Sequence, residues 1–187
     1  MRVMIVAAVL LAACPAGAVT LAERIAQCQA CHGANGQSDN PEVPSLGAQQ
    51  PNFVLVQLYM FREKLRVVDL MNEIAKGMTD DDLQKVSDYV SKLPAPNPPA
   101  DASDADRIAR AQDLIAKHRC NSCHTSNFAG QDQIPRLADQ REDYLLKSLR
   151  DYKSGQRRAY DPAMSSVVEP LNDADFVALA YYIARVK

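Results

Sequence analysis

Cys28-Gln29-Ala30-Cys31-His32 and Cys120-Asn121-Ser122-Cys123-His124 are two copies of one pentad, Cys-X-X-Cys-His, and the rest of the chain falls into register around them. One helical turn between the two thiols puts both sulfurs on one side of the backbone, where each can add to a vinyl group of one porphyrin. The adjacent histidine then faces the iron, and this spacing is that of a c-type haem attachment site. A single zinc held by four thiolates is the first alternative. It leaves both histidines idle and has to join pairs that lie 89 positions apart, a much longer loop than zinc ribbons close. Disulfides within the pentads are the second, but a two-residue gap closes a strained, reducible ring. Duplication of the pentad, histidine included, favours two covalently bound c-type haems held by Cys28, Cys31, Cys120 and Cys123.

The sequence between and after the pentads repeats as well. Pro44-Ser45-Leu46 with Gln49 and Phe53 follows the first, and Pro135-Arg136-Leu137 with Gln140 and Tyr144 follows the second at the same internal spacings. Leu58 and Phe61 match Leu149 and Tyr152. Met71 with Leu83, Val86, Tyr89 and Val90 matches Met164 with Phe176, Leu179, Tyr182 and Ile183. At 187 residues and 47% hydrophobic, the chain is long enough for two small cores. Between the copies runs Pro94-Ala95-Pro96-Asn97-Pro98-Pro99-Ala100-Asp101, whose prolines exclude helix and favour a stiff, extended spacer that holds two domains at a set separation. The expected domains are 19–95 and 104–187, joined by a proline-rich linker at 96–103.

Each copy reads as about three main helices, and nothing alternates as a strand would, so the expected fold is all-α. Thr20-Leu21-Ala22-Glu23 is a capping box before the first pentad, and Ser103-Asp104-Ala105-Asp106 is a related start before the second, with Ile108, Ala111 and Ile115 as a buried stripe. Middle helices are predicted from about Asn52 to Lys64 and from about Glu142 to Ser154, the latter stopped by Gly155. Closing helices start at Thr79 and Asn172, each with an acidic first turn that suits the helix dipole.

Met1–Ala18 has the form of a secretory signal: Arg2, an apolar run from Val3 to Ala13, then Ala16-Gly17-Ala18. Cleavage before Val19 is favoured. Leu11-Ala12-Ala13-Cys14 also resembles a lipobox, although Pro15 is unusual after one, so a lipid anchor at Cys14 is the minority reading. The apolar run is short for a membrane span.

A haem iron held by histidine on one face is defined by its other face: methionine sulfur closes the site for electron transfer, and an open position admits small molecules. The second copy contains one methionine, Met164, and the first contains Met60, Met71 and Met78. Met71 precedes Met78 by seven positions, as Met164 precedes Leu171, so Met71 and Met164 are the matched pair and the expected ligands opposite His32 and His124. Both are placed in loops before the closing helices. Met60 and Met78 read as core fillers.

These elements together resemble class I cytochrome c, and two such units in one exported chain resemble the dihaem cytochromes of the cytochrome c4 type. The resemblance covers nearly all of the chain after residue 18. It implies a periplasmic electron carrier passing single electrons between a quinol-oxidising complex or dehydrogenase and a terminal oxidase or reductase, with redox proteins as partners and no small-molecule substrate. It also implies that the carbonyls of Pro44 and Pro135 accept the second ring N–H of His32 and His124, and that the haems sit edge to edge across a domain interface. Two departures stand out. Thr125 replaces the usual glycine kept at Gly33, and Gly-X-Arg after the middle helix survives as Gly155-Gln156-Arg157 but not at Lys64-Leu65-Arg66. A dihaem peroxidase would need one displaceable ligand, against which the matched methionines argue; a fixed subunit of a larger oxidoreductase would use the same chemistry.

The first copy carries seven basic and ten acidic side chains over 19–95, and the second thirteen and eleven over 106–187. That asymmetry suits steering toward charged partners and does not suggest nucleic acid. His118 is expected as a polar surface residue.

Overall fold

The computed structural model describes residues 19–101, 103–158 and 162–186. The segment read as a secretory signal, with Cys14, lies outside them. Within them the architecture is helical, and the one β-type pairing is an isolated bridge between Gln131 and Ile134. Helices α1 (Leu21–His32), α2 (Pro51–Arg62), α3 (Asp69–Ala75) and α4 (Asp80–Ser91) form the first copy. The second consists of α5 (Ala105–His118), α6 (Cys120–His124), α7 (Glu142–Ser154), α8 (Ala163–Val168) and α9 (Asp173–Ile183).

Each copy encloses its own core. In the first, Val54, Leu58 and Phe61 recur at helical spacing on α2 and meet Leu83, Val86 and Val90 of α4. In the second, Ala111 and Ile115 of α5, Leu145 of α7 and Phe176, Leu179, Ala180 and Ile183 of α9 pack together. Ile108 is only half-buried. Capping boxes start α1 at Thr20, α4 at Thr79 and α9 at Asn172. The cap of α5 is Asp104, whose side chain accepts from Arg107 N at 3.0 Å.

Three features differ from the sequence reading. The helix before the second pentad is interrupted: Arg119 adopts φ 55°, ψ 36°, so α5 ends and the pentad forms its own short helix. Met71 and Met164 lie on the short helices α3 and α8 rather than in loops. The proline segment does not space the copies apart. It is tied to the first by Asn97 N donating to Gln37 Oε1 at 3.2 Å, and to the second by an Asp101–Arg185 ion pair of 2.6 Å. The copies touch directly, through paired side-chain amides described below.

Candidate haem sites

His32 ends α1, and its ring is buried. Nδ1 lies 2.8 Å from Pro44 O. A carbonyl only accepts, so the ring proton sits on Nδ1 and Nε2 presents its lone pair. His124 repeats this, with Nδ1 3.1 Å from Pro135 O. Burial holds both imidazoles below the ordinary histidine pKa, partly offset by the carbonyl, and so keeps them in the neutral form that binds metal.

The turn after each pentad has the same backbone. Gly33 has φ 81°, ψ 150°, and a Cβ there would lie 2.0 Å from Gln37 O. Thr125 holds φ 69°, ψ 164°, its hydroxyl donating to His124 O at 2.5 Å, so the departure from glycine leaves the turn intact. After the middle helix, Lys64 at φ 57° likewise keeps the left-handed position that Gly155 fills at φ 76°. Arg66 is thereby delivered to the place equivalent to Arg157.

Cys28 and Cys120 are half-buried, Cys31 and Cys123 are exposed, and none forms a disulfide. Cys28, Leu46 and Met71 border the first core, as Cys120, Leu137 and Met164 border the second. Each methionine and its pentad therefore face one core. Met60 and Met78 are buried. Among the described residues no group of three or more His, Cys, Asp or Glu side chains is arranged to hold a metal ion.

A charge cluster lies where the copies meet. Arg66 Nη1 donates to Gln57 Oε1 at 2.6 Å and its guanidinium stacks on Phe61, 4.8 Å from the ring centroid. Arg157 Nη1 donates to Ser148 Oγ at 2.8 Å and stacks on Tyr152, again at 4.8 Å. Every one of these residues is displaced by 91 positions from its counterpart. Both guanidiniums approach Tyr144 Oη, at 3.4 and 3.5 Å, and the residue equivalent to Tyr144 is Phe53. Burial would raise the Tyr144 hydroxyl, yet Arg157 and Arg66 pull it down to about 8. Arg136 Nε, at the same junction, is buried without a partner. The Arg136 guanidinium is paired with Asp139 at 2.6 Å, whereas Arg66 and Arg157 have no carboxylate partner among the described residues and would suit a porphyrin that brings its own two propionates. Arg66, Tyr144 and Arg136 were not evident as site residues from sequence; the repeat offset was the signal for Arg66.

A duplicated histidine held by a backbone carbonyl, beside paired thiols and a methionine on the same core, defines a covalent dihaem protein built for electron transfer. Comparison with known proteins agrees. The family model for cytochrome c matches residues 19–94 and 108–187. Cytochrome c4 of Thiocapsa roseopersicina is 30% identical over 165 residues, covering 83% of this chain and 85% of that one. The thiosulfate dehydrogenase electron acceptor of Stutzerimonas stutzeri is 35% identical over 174 residues, covering 85% and 78%. The crystal structure of reduced recombinant cytochrome c4 from Pseudomonas stutzeri superposes with a TM-score of 0.77 at 25% identity, covering 91% of this chain and all of that one. The chain belongs to the cytochrome c family, as a dihaem class I member of the cytochrome c4 type. It carries two covalent haem c groups and is an electron carrier.

Proposed function

We propose that His32 and Met71 hold the first iron and His124 and Met164 the second, within domains spanning 19–95 and 104–187, and that the protein carries electrons in the periplasm from a dehydrogenase toward a terminal oxidase or reductase. The observation that carries this reading is the doubled histidine clamp, Nδ1 on Pro44 O at 2.8 Å and on Pro135 O at 3.1 Å. The haems, when bound, supply the ferric and ferrous states. The protein's own residues do the rest. Pro44 and Pro135 fix ring orientation and tautomer, so no ligand has to turn when charge changes. The two methionines close the remaining faces, which favours electron transfer over binding of small molecules. Arg66 and Arg157 would offset the charge of the propionates when haem is bound, and burial around the histidines excludes water. The relative named as electron acceptor of thiosulfate dehydrogenase supports a sulfur-compound dehydrogenase as donor.

Two measurements test this. The ferric protein should show the methionine–iron charge-transfer band, Met71→Ala and Met164→Ala should each remove about half of it, and the double variant should remove all of it. Retention of the full band in either single variant refutes that ligand. Rapid reduction of the carrier by thiosulfate dehydrogenase, with no partner co-purifying in fixed ratio, would support a free carrier over a bound subunit.

A further inference from the structure

The peptide group that accepts each histidine's ring N–H is itself gripped from the opposite repeat. Pro44 O accepts from His32 Nδ1 at 2.8 Å, and the N–H at the other end of that peptide unit belongs to Ser45. Ser45 N donates to Gln140 Oε1 at 2.8 Å, and Gln140 Nε2 donates back to Ser45 O at 2.8 Å. The second repeat is served in the same way. Pro135 O accepts from His124 Nδ1 at 3.1 Å, Arg136 N of that peptide unit donates to Gln49 Oε1 at 2.7 Å, and Gln49 Nε2 donates to Arg136 O at 3.0 Å. Gln49, Gln140 and Ser45 are all buried, so water does not compete for these bonds.

Hydrogen bonds in series through one amide polarise one another, by about 10–30% per bond in condensed phases. An acceptor on the N–H side leaves the peptide oxygen more negative, and a more negative oxygen draws the imidazole proton harder. The ring gains imidazolate character and becomes a better donor to ferric iron. We propose that Gln140 tunes the haem iron of the first domain and Gln49 that of the second, each acting across the interface, through the Pro44–Ser45 or Pro135–Arg136 peptide, on the other domain's histidine. Both glutamines are positioning residues. The proposal rests on reading His32 and His124 as iron ligands.

A glutamine serving only as packing glue gives a different signature. Loosening the junction hydrates both haems, and water favours the more highly charged ferric state, so potentials fall. Loss of the relay raises the potential of one haem, the one in the opposite domain.

The test uses the intact dihaem protein with Gln140→Leu and Gln49→Leu. In the diamagnetic ferrous form, the ring-current-shifted Nδ1–H signals of His32 and His124, assigned by proximity to Pro44 and Pro135, report hydrogen-bond strength directly. Gln140→Leu should move His32 Nδ1–H upfield and raise the first haem's potential while leaving His124 in place; Gln49→Leu should do the converse. Should a leucine variant fail to assemble, Gln140→Glu keeps an acceptor for Ser45 N and should move His32 downfield and lower its haem's potential. A shift in the same-domain histidine, equal shifts in both, no shift, or a fall in potential with leucine overturns the proposal. Wild-type ferrous protein lacking ring-current-shifted histidine signals would instead refute the ligand assignment itself, whatever the variants did.

Discussion

Thr125 stands in a backbone region that glycine occupies freely and side chains occupy at a cost of about 1–3 kcal/mol. Its hydroxyl, donating its one proton to His124 O with Asn127 Oδ1 also at 2.8 Å, offsets part of that cost. Thr125→Gly should therefore stabilise the protein by ~1 kcal/mol in urea titration. Gly33→Ala should destabilise it by at least ~2 kcal/mol, because its Cβ meets the Gln37 carbonyl. The same scale governs Arg66. Replacing a half-buried cation beside a redox centre favours the oxidised state, so Arg66→Gln should lower at least one midpoint potential, by an energy on the order of 1 kcal/mol. An unchanged pair of potentials in a redox titration would place the guanidinium away from the haems. The departure from Gly-X-Arg in the first repeat was legible in sequence. That Lys64 nevertheless takes the left-handed turn was not, because nothing local to lysine encodes a positive φ.

Helix starts carry their own chemistry, and most were readable for that reason. Thr20 with Glu23, Thr79 with Asp82 and Asn172 with Asp175 place both halves of the capping interaction within four residues. What sequence did not show is that two of these acids are also clamped by arginines of the first helix of each repeat, Arg24 on Asp82 at 3.0 Å and Arg110 on Asp175 at 2.7 Å. Hydrogen bonds from Thr79 and then Arg24 hold Asp82 below the usual carboxylate range; burial works against Asp175, but Asn172 and Arg110 outweigh it. A folded pKa below the unfolded one means that the stabilisation is complete above about pH 4 and is lost as pH falls through the folded value. Asp82→Asn and Asp175→Asn should flatten the acid limb of melting temperature against pH while changing the neutral-pH value in the destabilising direction. An acid limb as steep as wild type would show that other groups control it. The short helices α3 and α8 escaped notice because they lack side-chain caps, following Val68 and Pro162, and are too brief to show a period.

At the level of the whole molecule, the two cores were legible as a repeat and the joint between them was not. Gln49 and Gln140 were recognisable as counterparts, but their bonds reach across 87 and 95 positions of sequence, where no periodicity points. The proline segment looked like the device that sets domain spacing; the amides and the Arg141 Nη1 bond to Ser38 O at 2.9 Å join the copies directly as well. Gln49→Ala with Gln140→Ala should thus split one cooperative thermal transition into two, seen by calorimetry, with each haem retained. A single transition of unchanged midpoint would mean the cores are coupled elsewhere. The joint also bears on ancestry. Gln49 does for the second repeat what Gln140 does for the first, so one patch meets its own counterpart, as in a self-complementary dimer. A polypeptide with one copy already owns both halves of such a contact, and fusing two copies turns an association that depends on concentration into a permanent one.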